Sequence, residues 1–331
     1  MTSLNIAIVG ATGLVGQTFL KVLAERNVTI ANLYLYASQK SAGKTITWCK
    51  KKHKVLLLDE ANIVGKQIDY ALFSAGEAVS RAFAPVFKKY GAIVIDNSSA
   101  FRMDPSVPLV VPEVNGKDIY LHDGIISNPN CSTIQCMLPL KLLDTNYYID
   151  RVNFTTFQSV SGSGMKGISD LKESAKGHAP TFYPHPIYNN CLPHIGSFDD
   201  SGYTKEEIKM IKETRKILSL PSLKISATCV RVPVMSSHSI AIDVHLKKRF
   251  NVEDIRKMFA STKGLILMDD PQNNIYPLAT DATGQDDILV GRIRKDLDDA
   301  KTLHFFCVAD NIRKGAATNA IQILEYMEGR D

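Results

Sequence analysis

The first 130 residues alternate short apolar runs with amphipathic stretches. Runs short enough for buried strands occupy residues 4–9, 33–37, 71–74, 92–96, 107–112 and 125–126. Helical periodicity follows the first run at 14–23 and separates later runs at 77–90. This order predicts an α/β domain of the Rossmann type, with a doubly wound parallel sheet.

After about residue 151 the pattern changes to period-two alternation. Predicted strands occupy residues 152–160, 224–232, 239–246, 288–293 and 303–310, with helices near 165–176, 204–218 and 252–259. We therefore predict a second, α+β domain at 131–314 with a mostly antiparallel sheet. A last helix at 316–327 has one apolar face and is expected to return to the first domain, which we assign to 1–130 and 315–331.

Length, charge and cysteine use narrow the class of protein. A chain of 331 residues is long for one domain, and a net charge of +5 is too mild to indicate nucleic-acid binding. No apolar run approaches the ~20 residues that span a bilayer, and the first strand begins too early for a signal peptide. The six scattered cysteines lack the spacing of a disulfide framework and indicate free thiols in a reducing cytoplasm.

The segment Asn128-Pro129-Asn130-Cys131-Ser132-Thr133 carries the clearest candidate chemistry. Cys131 stands where an extended segment gives way to an apolar, helix-like run. Unpaired N–H groups and the dipole of a helix N-terminus favour the thiolate, which is the nucleophilic form. On local sequence alone, a small buried apolar residue is the more common interpretation of such a cysteine.

The N-terminal turn indicates nucleotide binding. Gly10-Ala11-Thr12-Gly13-Leu14-Val15-Gly16 links the first strand to the first helix, where glycines let the backbone approach a pyrophosphate. Its G-x-x-G-x-x-G spacing is weaker evidence than G-x-G-x-x-G, and a ligand-free turn stays an alternative. After the second strand, Ser38, Lys40 and Ser41 stand where NAD enzymes usually carry an acid, so a 2′-phosphate and NADP(H) are favoured.

The chain resembles the aspartate-β-semialdehyde dehydrogenase family over nearly its whole length. Besides the glycine turn and the Cys131 segment, the motifs in chain order are Ser98-Ser-Ala-Phe-Arg102, Gln158-Ser-Val-Ser-Gly162, Arg231-Val-Pro-Val-Met-Ser-Ser-His238 and Gly315-Ala-Ala-Thr-Asn319. Any one of them could arise by accident, but their order along the chain is specific.

The resemblance implies an NADP-dependent oxidoreductase that converts L-aspartyl 4-phosphate to L-aspartate 4-semialdehyde and phosphate. This reaction feeds lysine, threonine, methionine, isoleucine and, in bacteria, diaminopimelate biosynthesis. Cys131 would form a thioester, Gln158 would orient the cysteine or a water, and His238 would act as acid and base. Members of the family work as homodimers or dimers of dimers joined through the second domain's sheet, with no nucleic-acid or membrane partner.

The resemblance also implies ligand-binding residues. Substrate and phosphate would contact Arg102, Asn130, Glu206, Lys209 and Arg231, and the cofactor would also contact Ser161, Gly162 and Asn319. A charged Arg231 within an apolar strand needs a partner, and a substrate carboxylate is one. Thr204 and Glu207 predict a capping box, whereas Glu206 and Lys209 could equally belong to a solvated stripe with Glu213 and Lys216.

Some features leave alternatives open. Relatives often carry arginine where this chain has Gln39 and Lys40, so discrimination against NAD could be weaker. His185, Cys191 and His194 lack a fourth ligand at a familiar spacing, and we expect no metal. Rival interpretations are N-acetyl-γ-glutamyl-phosphate reductase, glyceraldehyde-3-phosphate dehydrogenase and a non-catalytic NADP-binding sensor. Against the reductase stand Ser132-Thr133 after the cysteine and the Gln158 strand motif, and against glyceraldehyde-3-phosphate dehydrogenase stands a glutamine, not a histidine, at position 158.

Overall fold

The computed structural model describes residues 3–330 and divides the chain into two compact units. The first comprises Met1–Asn130 with Ala316–Asp331, and the second comprises Cys131–Gly315. The domain ranges predicted from the sequence place residue 315 in the first domain, whereas the structure places it in the second unit. Residues 1, 2 and 331 of the predicted ranges lie outside the described residues. No helix within residues 3–330 is long and apolar enough to cross a membrane.

Strands and helices are numbered here in chain order. The strands are β1 Leu4–Val9, β2 Ile30–Ala37, β3 Thr45–Trp48, β4 Lys51–Leu57, β5 Tyr70–Phe73, β6 Ile93–Asp96, β7 Ile125–Ser127, β8 Ile149–Gln158, β9 Lys224–Arg231, β10 His238–Leu246, β11 Leu265–Leu267, β12 Ile288–Lys295 and β13 Thr302–Ala309. The helices are α1 Leu14–Glu25, α2 Glu77–Lys89, α3 Pro112–Asn115, α4 Cys131–Tyr147, α5 Gly164–Ser174, α6 Lys205–Leu218, α7 Val252–Ala260, α8 Ala279–Ala282 and α9 Asn319–Met327.

The first unit is a Rossmann-type domain whose seven strands follow the order β3-β4-β2-β1-β5-β6-β7. Neighbouring strands are parallel except in the β3–β4 hairpin. Alternate residues of β1 enter different cores: Ile6 and Ile8 pack with α1 and α9, whereas Ala7 and Val9 pack with α2. Helices therefore cover both faces of the sheet, as near-continuous apolar strands require.

Three details of the first unit differ from the sequence prediction. The β3–β4 hairpin was not predicted, and the segment 107–112 contributes only an isolated bridge between Leu109 and Ser127. The last α-helix begins at Asn319 rather than at residue 316, because a π-helix occupies Arg313–Thr318. Its apolar residues Ile321 and Leu324 lie in the core of the first unit, as the prediction of a returning helix requires.

The second unit contains a six-stranded sheet in the order β11-β12-β13-β10-β8-β9. The three central pairs are antiparallel, and both outer pairs, β11–β12 and β8–β9, are parallel. One face packs on α4, α6 and α7, whereas α8 packs against β13 on the other. The opposite face carries exposed and half-buried side chains, among them Thr155, Phe157 and Asp243.

The glycine turn of the first unit tolerates no side chain at two positions. A Cβ at Gly16 would lie 2.2 Å from the Gly10 carbonyl oxygen, and a Cβ at Gly10 would lie 2.6 Å from the Ser74 carbonyl oxygen. Gly10 also has a φ of 89°, which favours glycine. These glycines let α1 start directly at the end of β1.

We predict that Gly16→Ala lowers the free energy of unfolding of the first unit by about 1–3 kcal/mol, because the backbone must move to admit a methyl group. Thermal and urea unfolding measure the effect. Gly13→Ala is the matched control, since its Cβ would meet the same oxygen at a less severe 3.3 Å. Equal stability of the two variants would contradict this description of the turn.

Candidate active site

Backbone register aligns three of the predicted site residues in the second unit. Gln158, at the end of β8, is paired with Arg231 of β9 on one side and with His238 of β10 on the other. Side chains at such directly paired positions are neighbours on one face of the sheet. All three are buried, so the alternative that Gln158 lies on an exposed strand face is wrong.

The Arg231 guanidinium is hydrogen-bonded to the protein through Nη1, and its Nε donor is unused within the described residues. Its Nη1 donates to the Ser159 carbonyl oxygen at 2.6 Å, whereas its Nε has no partner within residues 3–330. A Cβ at Gly162 would lie 2.9 Å from Nη1 and 3.1 Å from His238 Nε2. Glycine at position 162 therefore leaves room for the guanidinium and the imidazole to lie side by side.

The hydrogen bonds of His238 determine where its proton lies. The Ser159 backbone N–H donates to Nδ1 at 3.1 Å, so Nδ1 is an acceptor and a neutral ring carries its proton on Nε2. In the described part of the chain Nε2 has no partner. Burial, assisted by the Arg231 guanidinium and opposed by Glu206, lowers the pKa of His238 to about 3. The ring is therefore neutral near pH 7.

Cys131 is the first residue of α4, a 17-residue helix. A Cβ at Gly315 would lie 2.9 Å from the Cβ of Cys131, so only glycine allows the chain to pass the cysteine this closely. Among the other cysteines, burial raises the pKa of the Cys136 and Cys229 thiols and keeps them protonated. Cys131 is half-buried at a helix N-terminus, which is the position that favours a thiolate.

Helix α6 brings a carboxylate to this group. The predicted capping box between Thr204 and Glu207 is confirmed. Glu206 is buried, and its carboxylate accepts from Gln158 Nε2 at 3.2 Å and pairs with Lys209 Nζ at 3.3 Å. Because Glu213 is also buried, the alternative of a fully solvated stripe is wrong for its acidic members.

The remaining substrate-binding candidates lie in the first unit. Arg102 is buried, and its guanidinium donates from Nε to the Asn128 carbonyl oxygen at 3.0 Å and from Nη2 to the Asn97 carbonyl oxygen at 2.6 Å. Asn130 is also buried and immediately precedes Cys131 in the chain. Backbone carbonyls that follow β6 and β7 thus orient Arg102.

The cofactor candidates are divided between the units. Gly10, Thr12 and Gly13 lie in the β1–α1 turn, Leu14 and Val15 are the first residues of α1, and α1 has no side-chain cap at its N-terminus. Ser38, Lys40 and Ser41 follow β2 at the surface of the same unit.

Asn319 lies in the first unit, where its side-chain amide is hydrogen-bonded to other protein groups. Its Nδ2 donates to the Val110 carbonyl oxygen at 3.0 Å and to Asn128 Oδ1 at 2.7 Å. Ser161 and Gly162 belong to the second unit. Within residues 3–330 no group of three or more His, Cys, Asp or Glu side chains is arranged to hold a metal ion.

Sequence reasoning missed Asn311, which follows β13. Its Oδ1 accepts from Ser237 N at 2.9 Å, from Ser161 Oγ at 3.1 Å and from Ser159 Oγ at 3.2 Å. Ser237 itself has a φ of 69°, an uncommon conformation for serine that often marks a functional site. Nothing in the local sequence distinguishes Asn311, because its partners come from distant segments.

Family models match both parts of the chain. Residues 5–122 match "Semialdehyde dehydrogenase, NAD binding domain", and residues 140–314 match "Semialdehyde dehydrogenase, dimerisation domain".

Similar proteins span the full length. The chain is 51% identical to the aspartate-semialdehyde dehydrogenase of Aquifex aeolicus, covering 98% of this chain and 97% of that one. It is 44% identical to the Bacillus subtilis enzyme of the same name over 98% and 97% of the two chains. A crystal structure of aspartate semialdehyde dehydrogenase II from Vibrio cholerae, complexed with ASA, has a TM-score of 0.94 and 42% identity over 99% of each chain. The chain therefore belongs to the aspartate-semialdehyde dehydrogenase family.

Proposed function

We propose that this chain catalyses the NADP-dependent reductive dephosphorylation of L-aspartyl 4-phosphate to L-aspartate 4-semialdehyde through a thioester on Cys131. The observation that carries the mechanism is the row Arg231–Gln158–His238, which lies in the same unit as Cys131. That row combines a carboxylate-binding group and a hydrogen-bond donor, as acyl transfer to a thiol requires.

The first unit has features that fit a dinucleotide. Because α1 approaches the Gly10 carbonyl closely, the turn presents backbone groups and no bulky side chain to a ligand. The N-terminus of α1 has no side-chain cap, so its free backbone N–H groups favour an anion. Lys40, Ser38 and Ser41 follow β2, the position where this fold contacts the adenosine ribose. A cation with hydroxyl groups suits a 2′-phosphate, which supports NADP(H). When bound, the cofactor supplies the hydride.

The covalent steps take place on Cys131. Its sulfur attacks the acyl carbon, an S–C bond forms, the C–O bond to phosphate breaks and phosphate leaves. After reduction the S–C bond breaks, which releases the aldehyde and regenerates the thiolate. His238 assists through Nε2–H, which donates to the intermediate oxygen as negative charge develops there. This is a narrower role than the acid and base expected from sequence, because the ring is neutral near pH 7.

Substrate binding is assigned to charged and polar side chains. Arg231 Nε, which has no partner in the described part of the chain, is assigned to the α-carboxylate, and the buried Glu206 carboxylate is assigned to the α-amine. Arg102, Asn130 and Lys209 are assigned to the phosphate. Gln158 donates to Glu206, and its amide orients neighbouring groups without acting as a base.

Neutralising Arg231 with a substrate carboxylate would remove one of the causes that lower the pKa of His238. Binding and ring protonation are therefore coupled.

The open face of the second unit's sheet is assigned to a homodimer or a dimer of dimers. Phe157 is 37% exposed there, and its ring lies 6.4 Å from that of Phe306. Exposed aromatic groups on a flat sheet favour burial by a second copy. We assign the reaction to lysine, threonine, methionine and diaminopimelate biosynthesis in the cytoplasm, where six free cysteines suit a reducing environment.

The first prediction concerns the nucleophile. NADPH formation from L-aspartate 4-semialdehyde should require inorganic phosphate, and Cys131→Ala should lower kcat at least about a thousandfold, because no thioester can form. Cys49→Ala, at an exposed cysteine, is the control and should be fully active. Turnover with N-acetylglutamate semialdehyde alone would transfer the assignment to the arginine-pathway reductase. Tight NADP(H) binding with no turnover would indicate the sensor.

The second prediction concerns cofactor choice. Lys40→Ala should reduce the NADP(H):NAD(H) ratio of kcat/KM about tenfold, because a charge-assisted contact to the 2′-phosphate is lost. Lys51→Ala, at another exposed lysine of the same unit, should leave that ratio unchanged. Equal efficiency of the unaltered protein with both cofactors would overturn the NADP assignment.

The third prediction concerns assembly. Phe157→Asp should convert a dimer into monomers in analytical ultracentrifugation, because pairing would bury an uncompensated carboxylate. Phe198→Asp replaces a more exposed phenylalanine outside the sheet and should not change the mass. A monomeric unaltered protein, or a Phe157→Asp dimer of undiminished affinity, would refute the sheet interface.

A further inference from the structure

We propose that Glu207 is a positioning residue: by hydrogen-bonding the first turn of α6 to strand β9, it sets the spacing between the Glu206 carboxylate and the Arg231 guanidinium. The proposal rests on the function proposed above, in which these two groups bind the α-amine and the α-carboxylate of the substrate. Glu207 is 8% exposed and acts through the helix, without touching the substrate itself.

The first step of the argument is that the two carboxylate oxygens of Glu207 have different partners. Oε2 accepts from the Thr204 backbone N–H at 2.7 Å, which is the bond that a capping box requires. Oε1 accepts from the backbone N–H of Cys229, in β9, at 3.0 Å. A capping box needs only the first of these bonds, so the second oxygen connects the helix to the sheet.

The second step concerns the outer edge of β9. This strand is the last one of its sheet, next to β8, so its outward N–H groups need partners from outside the sheet. The Arg231 N–H donates to the Leu192 carbonyl oxygen at 2.8 Å. Cys229 lies two residues earlier, and its N–H points to the same edge, where Glu207 accepts it. Glu207 therefore binds β9 immediately before the predicted carboxylate-binding residue.

The third step leads from Glu207 back to the row of site residues. Glu206 precedes Glu207 in the same helical turn, and its carboxylate accepts from Gln158 Nε2 at 3.2 Å. Gln158 is in turn paired with Arg231 in the β8–β9 register. The helix is thus linked to β9 through Glu207 and to β8 through Glu206. Because the amine and the carboxylate of an α-amino acid share one carbon, the groups that bind them must keep a fixed separation.

The other contacts of α6 do not fix its first turn along β9 in the same way. Lys209 pairs with Glu206 at 3.3 Å, but both residues belong to the helix. Met210 and Ile217 are buried where α6 packs on the sheet, and apolar contacts of this kind have no preferred direction. The Glu207 bond has a direction and a length, and it therefore specifies where the turn that carries Glu206 lies.

The test is the kinetics of NADPH formation by Glu207→Ala. KM for L-aspartate 4-semialdehyde should rise about tenfold, because the amine-binding and carboxylate-binding groups lose their spacing. These contacts lie away from the bond that reacts and hold substrate and transition state alike, so kcat should change less than about twofold. KM for NADP should also change less than about twofold.

Thr204→Ala is the matched control. It removes the other bond of the capping box, from the Glu207 N–H to Thr204 Oγ1 at 3.4 Å, and keeps both bonds of the Glu207 carboxylate. Its melting temperature should fall because a helix cap is lost, but its KM for the semialdehyde should stay within about twofold of the unaltered value. An equal rise of KM in both variants, or no rise in Glu207→Ala, would overturn the proposal.

A second measurement follows the Cys229 amide directly, by hydrogen–deuterium exchange of the ligand-free protein resolved by NMR. The Cys229 amide should be protected in the unaltered protein and in Thr204→Ala, and it should exchange about tenfold faster in Glu207→Ala. An unprotected Cys229 amide in the unaltered protein would refute the proposal even if neither variant folded. Absence of phosphate-dependent turnover in the unaltered protein would instead refute the proposed function, and the exchange result would still decide whether Glu207 holds α6 to β9.

Discussion

The candidate site depends on the backbone register of three neighbouring strands. Pairing of β8 with β9 and β10 aligns Arg231, Gln158 and His238 in one buried row at the end of the sheet. A slip of one residue in β8 would turn Gln158 to the opposite face and break the row. The register is specified by burial, since Val152, Phe154 and Thr156 of β8 face the same core.

The adjoining loops leave space for this row of side chains and hold it with backbone hydrogen bonds. Gly162 leaves space for the Arg231 guanidinium and the His238 imidazole, and Gly315 lets a distant part of the chain pass beside Cys131. The Ser159 backbone supplies both a carbonyl for Arg231 and an N–H for His238. A few short contacts therefore fix the position of the arginine side chain, the tautomer of the histidine and the surroundings of the thiol.

Sequence patterns predicted the parts of this arrangement that have local causes. The strand–glycine turn–helix at the N-terminus follows from apolar period and glycine spacing, and the Thr204–Glu207 cap follows from side-chain chemistry. The β3–β4 hairpin was not predicted because its turn places Cys49 and Lys50, instead of glycine or asparagine, at positive φ. Asn311 was not singled out because its hydrogen bonds with Ser159, Ser161 and Ser237 form only in the folded chain.

The measurement that tests the account most directly is mass spectrometry of the protein mixed with freshly prepared L-aspartyl 4-phosphate in the absence of NADPH. We predict an aspartyl adduct on Cys131 that forms as phosphate is released and that disappears when excess phosphate reverses the step. An adduct on another residue, or release of phosphate with no covalent adduct, would contradict the assignment of Cys131 as the nucleophile.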